Sequence, residues 1–570
     1  MKDLRQPLEF LYRAVPRLMG QMDRDPLSPT WGSMHLAYWR DKTSEISDMR
    51  RQEAMLPLAL LYVREYPGSP WRGDPQLLAT VAAQLGFWCA NQYGDGSMDE
   101  WYKGERAFAA AAFSCHAVAR TLAEVGGVLP PELVRHAREK LAATAHWLKG
   151  RQDLFKTNHQ AVGVAALAWA GHVLDDAALT ANARDKLQSI LRTQTTEGWF
   201  PEVGHMDVGY TFLTVEFVAM AMDLWNDWSA IAPFVRAFEF ACQWVHPDLT
   251  IGEEYGVCHN PYLSRIAVIL LSPYSRQAAW LYHRFARMET GFKGFANTLG
   301  DDLRLPRWAF QTLLAHDYYQ RRQTIAPPEG EAVPLARGAS MEDPMAEPVL
   351  FKDSALIRFH VGAGSGIFAA VAGGVTRLFS PDTLGSVADF GYALDLDRGS
   401  ATNMTYDRHL HFGVEQGQPF VLAPLPRVKK FIPSFMARLV LRLASSTALG
   451  SRLTRKGIDW IRRRKGSALN QSSANLGGRS APWTLERRLK LSAGKVCIRD
   501  RLLFKTPLRG NRIHFLEARD HSFIEKRSIG ENIVHLPQLL ERLDLEKVYV
   551  LDGAWRLAEV RLVHAVAKEG

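Results

Sequence analysis

Apolar and polar positions follow two different rhythms along this chain, and the change falls near residue 348. Before it, apolar residues recur at i, i+3 and i+4, the spacing that lines one side of an α-helix. The pattern predicts helices over Met49–Glu65, Pro75–Gln92, Glu105–Glu124, Pro130–Leu148, Asn158–Leu174, Ala177–Thr193 and Thr211–Trp225. Many are alanine-rich, which lets helices pack closely. Their connections are short and carry turn signals such as Tyr93-Gly94-Asp95-Gly96 and Glu197-Gly198. Paired helices of similar length with no strand between them indicate an (α/α) toroid or solenoid. No repeat of fixed period is visible, so the pairing rests on pattern alone.

From Val349 the period becomes two, over 355–362, 483–491, 495–504, 511–519 and 555–566. Such alternation marks strands with one buried face, hence an antiparallel sandwich. The stretch between, 322–348, is rich in Pro, Gly and acids and reads as a linker. The expected fold class is therefore α+β multidomain: an N-terminal (α/α) toroid over 1–321 and a C-terminal antiparallel β-sandwich over 349–570. A basic insert at 427–466 interrupts the sandwich, and its RLVLRL and DWIRRRK stretches look helical.

Composition refines this picture. Apolar residues make up 47% and charged residues 23% of 570, ordinary for a globular chain of several domains. The net charge of +9 is concentrated: Arg427–Lys465 carries twelve Lys/Arg against one acid, Asp459, which leaves −2 for the remainder. That concentration argues against a nucleic-acid binder, whose basic residues recur across a domain. Five cysteines at 89, 115, 242, 258 and 497, with no C-x-x-C, form neither a disulfide framework nor a zinc knuckle. The N-terminal MKDLRQPLEFLYRAV has no apolar signal core, and no apolar run looks long enough to span a bilayer. The expected location is cytoplasmic, peripheral at the inner face of the membrane. Apolar residues spaced between the insert's arginines fit an interfacial amphipathic helix. An anionic polysaccharide is its other candidate partner, and a solvated helix face is the plain alternative.

Two short pieces carry the candidate chemistry. Asn158-His159 places an amide beside an imidazole on an alanine-rich helix. Fifty-two residues after Asn158, Tyr210 ends the glycine-bracketed loop GWFPEVGHMDVGYT, which also holds Glu202, His205 and Asp207. An amide, one or two histidines and a tyrosine form the set that β-elimination of a uronic-acid polymer requires. The amide stabilises charge developing on the uronate carboxylate. His159 acts as base or neutralises the carboxylate. Tyr210 protonates the leaving oxygen, or serves as both base and acid if a cation such as His205 lowers its pKa. Asn158 and Asp207 have a simpler reading, as helix N-caps.

A toroid followed by a sandwich, with Asn-His and then Gly-Tyr, resembles the heparinase II/III-like polysaccharide lyases and the alginate lyases built the same way. GSMDEWYKGERAFAAAAF (96–113), the 198–211 loop and TIGEEYG (250–256) are similar to bacterial proteins of that superfamily from surface-polysaccharide gene clusters. The resemblance implies catalytic roles for Asn158, His159 and Tyr210, with His205 assisting. It implies an anionic polysaccharide substrate; Glu100, Tyr102, Glu202, Asp207, Glu254 and Arg265, in or beside the loops between helices, are the candidate substrate-binding residues. The family's sandwich brings a His-x-His-Ala-Asp motif, supplying a second histidine and a metal ligand. Here Gly385-Ser386-Val387-Ala388-Asp389 stands in its place with both histidines missing. His360, His409 or His411 would have to substitute, so no metal and no cofactor is expected. Two alternatives remain. One is an inverting glycoside hydrolase pairing Asp99 or Glu100 with Asp207, which needs carboxylates roughly 6.5–9.5 Å apart. The other is a non-catalytic polysaccharide-binding or assembly protein.

Overall fold

The computed structural model describes residues 5–153, 155–258, 260, 262–287, 302, 304–321, 347–380, 386–395, 400–404, 410–426, 435–465, 483–508, 512–519, 528–535 and 540–567. The predicted linker, Gly385 and His409 lie outside them, apart from residues 347 and 348.

The N-terminal part is helical: α1 (Arg5–Met19), α2 (Leu36–Trp39), α3 (Met55–Val63), α4 (Pro75–Ala90), α5 (Phe108–Val125), α6 (Pro131–Lys149) and α7 (Thr157–Leu174). It continues through α8 (Ala177–Leu191), α9 (Val208–Trp225), α10 (Ile231–Cys242), α11 (Arg265–Leu271), α12 (Arg276–Arg287) and α13 (Leu305–Arg321). Six of these close a ring. α3 packs on α5, α5 on α7, α7 on α9, α9 on α11, α11 on α13, and α13 returns to α3. The helices between them form the outer layer. Inner helices lack a polar face because they are covered on all sides. Every residue of α9 from Thr211 to Met222 is buried. Val208–Trp225 is in fact long and apolar enough to cross a bilayer, contrary to the sequence expectation, but it is this mostly buried inner helix.

Each outer helix carries the chain back, so the inner helices are entered from one rim. There the entry loops touch: Met49 N donates to Asp99 O at 3.2 Å, Lys156 bridges Glu202, and Asp207 bridges Gly256. The helix N-termini, with their unpaired N–H groups and positive dipole ends, therefore gather on that rim.

The C-terminal part comprises β1 (Val349–Phe351), β2 (Leu356–Val361), β3 (Gly364–Ala369), β4 (Val375–Phe379), β5 (Ser386–Asp395), β6 (Ser400–Thr402) and β7 (His411–Glu415). β8 (Gln418–Pro424), β9 (Trp483–Ser492), β10 (Lys495–Leu508), β11 (Arg512–Arg519), β12 (Ser528–His535), β13 (Leu540–Asp552) and β14 (Ala554–Ala567) complete it. One sheet runs β1-β2-β3-β4-β5-β11-β12, with β6 paired to β5; the other runs β14-β13-β10-β9-β8-β7. Tyr392 and Leu394 of the first share a buried cluster with Leu485, Leu502 and Leu543 of the second, so the sheets face each other. The sandwich meets the toroid at the 243–257 segment, where Trp244 and Phe351 rings lie 4.9 Å apart, as do His246 and Phe379.

The basic insert forms two helices, α14 (Phe435–Ser445) and α15 (Ala448–Lys465), packed on each other. Arg442 pairs with Glu45 of the toroid. Ser451 sits against Gly104, where an added Cβ would run into its hydroxyl.

Candidate active site

The rim loops bring Asn158, His159, Glu202 and Tyr210 to neighbouring inner helices. Asn158 is the second residue of α7, with Lys156 at the N-cap position, so it does not cap the helix as the simpler reading supposed. Its amide is engaged instead: Nδ2 donates to Glu202 Oε1 at 2.6 Å and its backbone N to Oε2 at 3.2 Å. Asn158 Oδ1 is buried with no hydrogen-bond partner. Burial pushes the Glu202 carboxyl up to about 8; the hydrogen bonds from Asn158 and the charge of Lys156 only partly oppose this, and Asp207 adds to it.

His159 Nδ1 lies 2.7 Å from Asp153 Oδ2. The carboxylate fixes the tautomer with the proton on Nδ1 and leaves Nε2 as the basic nitrogen. Burial, with Lys156 and Arg50 nearby, outweighs Asp153 and holds the imidazole below its ordinary value, so it is neutral at pH 7. The ring meets Phe113 edge-on at 6.0 Å, and the guanidinium carbons of Arg50 and Arg307 each lie 4.2 Å from the Phe113 ring centre.

Tyr210 sits in the first turn of α9, half-buried. Asp207 caps that turn, its Oδ1 accepting from Tyr210 N at 2.9 Å and its Oδ2 from Cys258 N at 2.9 Å. This cap starts the helix at Val208, three residues before the sequence pattern does. Burial pushes the Asp207 carboxyl up to about 7. Burial, then Cys258, Asp207 and Glu202, raise the Tyr210 phenol, and Arg50 is the cation opposing them. The phenol is therefore protonated at neutral pH. The sequence reading gave the opposing role to His205; the structure gives it to Arg50. His205 is half-buried and pairs through its backbone with Glu202, accepting from Glu202 N at 2.6 Å.

The remaining predicted residues divide. Glu100 is buried and paired with Arg50 at 2.9 Å. Burial pushes its carboxyl up, but Arg50 and His159 outweigh this and hold it below its ordinary value. Tyr102 is half-buried in the same loop, next to Trp101, whose ring is 75% exposed. Asp99 organises that loop by accepting from Tyr93 Oη (2.6 Å), Gly104 N (2.8 Å) and Arg106 N (2.8 Å), which is why α5 starts at Phe108 and not Glu105. Glu254 is not presented to a ligand. It is buried and accepts from Arg377 Nε of β4 at 2.7 Å, tying the rim to the sandwich. Arg265 opens α11, half-buried, with burial drawing its pKa down to about 10.

Three residues missed by the sequence reading complete the cluster: Arg50 from the 3₁₀ turn before α3, Asp153, and Lys156. The backbone is also strained here. Val203, between Glu202 and Gly204, has φ +54°, a conformation that β-branched residues rarely adopt. In the sandwich, Asp389 does not stand among histidines. It pairs with Arg487 (3.0 Å) and Lys547 (2.5 Å) and accepts from Tyr549 Oη at 2.9 Å. Among the described residues no group of three or more His, Cys, Asp or Glu is placed to hold a metal ion.

No protein-family model matches this sequence, and no curated protein matches it. Solved structures do. The chondroitin AC lyase of Streptomyces coelicolor A3, in complex with chondroitin sulphate, is similar at TM-score 0.54 and 12% identity, over 90% of this chain and 68% of that one. A mutant of the same enzyme matches at TM-score 0.52 over the same shares. Heparinase III aligns over 98% of this chain and 88% of that one, at TM-score 0.46 and 10% identity. The chain thus has the toroid-plus-sandwich fold of a polysaccharide lyase.

Proposed function

We propose that this chain cleaves an anionic, uronate-containing polysaccharide by β-elimination, with His159 as base and Tyr210 as acid. One observation carries the reading: a neutral imidazole oriented by Asp153 and a phenol held protonated stand on adjacent inner helices of one rim. Its two proton-transfer groups begin in the states the reaction needs. Imidazole Nε2 takes the C5 proton, the C5–H electrons form the C4=C5 double bond, and the C4–O4 bond breaks. Tyr210 gives its proton to O4. Asp153 stabilises the imidazolium, and solvent returns it and the phenolate to their starting states. Arg50, Lys156 and the helix N-termini favour an anionic ligand on this rim. The similarity of fold to an enzyme solved with chondroitin sulphate supports the same substrate class.

The Asn158 amide has a defined part. Amide orientation is settled by the surrounding hydrogen-bond network. With Glu202 protonated, its O–H donates to the amide oxygen. This pairs the atom otherwise orphaned and frees the NH₂ for the substrate carboxylate. Asn158 is only 1% exposed, so substrate reaches its amide only as the side chains packed over it move aside, with Glu202 staying in place. Hydrolysis by paired carboxylates is disfavoured because Asp99, Glu100 and Asp207 are each committed to loop, ion-pair or cap bonds.

The test is near-ultraviolet absorbance during incubation with a panel of uronate polymers. Elimination leaves a conjugated C4=C5 double bond that absorbs. Absorbance that Tyr210→Phe and His159→Ala both abolish supports the lyase. New reducing ends without absorbance, or no cleavage of any polymer, sinks it.

A further inference from the structure

The α14–α15 hairpin is amphipathic the wrong way round for a helix pair docked on a protein. Met436, Val440 and Leu443 follow helical spacing on α14, and Leu449, Leu453 and Trp460 do so on α15; each of these side chains is more than half exposed, as is Phe435. The side turned to the toroid presents serine hydroxyls. Ser445 and Ser451 are buried. With Leu449 at its edge, and Arg452 and Arg455, they help line a cavity of about 730 Å³ against Lys103, Arg106 and Arg151 of the toroid. Soluble monomers rarely leave so many large apolar side chains on one contiguous surface.

The charges beside the stripe decide what covers it. Arg438, Arg452 and Lys456 are exposed, and among the described residues Arg438, Arg452, Arg455 and Lys456 form no ion pair. Protein interfaces are depleted in lysine at their cores and match charge with charge. An apolar stripe with the unpaired cations Arg452 and Lys456 on its own side of α15 fits the boundary between anionic headgroups and acyl chains. We infer that the α14–α15 hairpin docks this protein on the surface of an anionic lipid bilayer. Insertion is shallow, through the apolar side chains named, with Arg452 and Lys456 at headgroup level. Because Ser451 packs on Gly104, in the loop that carries Glu100 and Tyr102, docking holds the rim of the cleft beside the membrane. The inference is independent of the lyase reading.

Co-sedimentation of the full chain with vesicles tests it, using phosphatidylcholine alone and with phosphatidylglycerol added. Binding is expected only with phosphatidylglycerol, weakening as salt rises. It should fall at least about tenfold in Leu443→Asp/Leu453→Asp and in Arg452→Gln/Lys456→Gln, and stay unchanged in Asn158→Ala. The charge variant keeps the test decisive if the aspartate pair fails to fold. No binding to anionic vesicles at low salt overturns the inference. So does equal binding to neutral vesicles, or binding indifferent to both hairpin variants. Light scattering provides the last outcome: a dimer that the aspartate pair dissociates makes a second copy the occupant, and overturns it too.

Discussion

Two clusters of buried ionisable groups, one in each half of the molecule, meet burial in opposite ways. In the sandwich, Asp389 and Asp500 face Arg487 and Lys547, all at most 2% exposed. Arg487 donates to Asp500 twice at 2.8 Å, and Tyr392 Oη donates to Asp500 at 2.5 Å. Two acids and two cations balance. Burial alone would raise Asp389, but Arg487 and Lys547 draw it down to about 2. On the toroid rim, Glu202 and Asp207 are equally buried and form no ion pair among the described residues, so burial leaves them with raised pKa values. A complete set of partners makes buried charge permanent and inert. An incomplete set leaves protons on groups near neutrality, the condition for acid–base chemistry.

The comparison breaks hardest if the sandwich cluster is unbalanced. Arg487→Met leaves a buried carboxylate uncompensated, so urea unfolding should show a loss of about 3–5 kcal/mol. A loss below about 1 kcal/mol would mean the pairing is not what holds those sheets together. On the rim the expected damage is to rate. Tyr210→Phe should lower kcat/KM by on the order of 10²–10⁴ with the melting temperature unchanged. Parallel losses of activity and stability would place the phenol in the scaffold instead.

Asp153→Asn separates orientation from charge. Activity should drop on the order of 10²-fold, because the amide no longer favours the Nδ1–H tautomer. The imidazole, already below its ordinary value, also loses the carboxylate that raises it. The acid limb of the pH–rate profile should therefore move further down. An unmoved limb would show that His159 is not the base.

The sandwich was legible because its strands bury one face. Trp483, Leu485, Arg487 and Leu489 are buried in strict alternation. The same rows showed charge in the core phase: Arg487 on β9, Asp500 on β10 and Lys547 on β13 all fall on the buried side. Arg487 stands directly opposite Asp500 in register. That signal was available, but the cross-sheet partner Asp389 was not, since it depends on how the sheets stack. On the rim, Asn158, Glu202 and Tyr210 were readable from two short segments. Arg50 was not, because it reaches Glu100 and Phe113 only once the 3₁₀ turn before α3 packs on α5, across the intervening outer helix. Asp153 lies six residues before His159, and its place beside the imidazole is visible only in the folded chain.

Glu202→Gln sharpens the comparison with the least disturbance. Glutamine has nearly the same shape and is neutral, so at pH 4, where the parent carboxyl is protonated in both folded and unfolded states, stability should stay within about 1 kcal/mol of the parent. The difference lies in the pH dependence. The folded Glu202 pKa, about 8, lies above its ordinary 4.5, so the folded state holds a proton that the unfolded state releases. Its stabilisation is fully present below about 4.5 and is lost as pH rises towards 8. Melting temperature should fall less steeply over that window in the variant than in the parent. Activity follows the same proton. Once Glu202 ionises it accepts from the Asn158 NH₂ and turns that group away from the substrate, which closes the alkaline limb near pH 8. The glutamine side chain would donate to the Asn158 amide oxygen at every pH, so Glu202→Gln should extend activity above that limit. Lys156, Asp207, Tyr210 and Cys258 face the same carboxyl. Asp207→Asn is the control, because it removes the other raised carboxyl and should leave an alkaline limb. A parent and a Glu202→Gln variant with superimposable pH profiles would show that the Glu202 proton does not set the Asn158 amide.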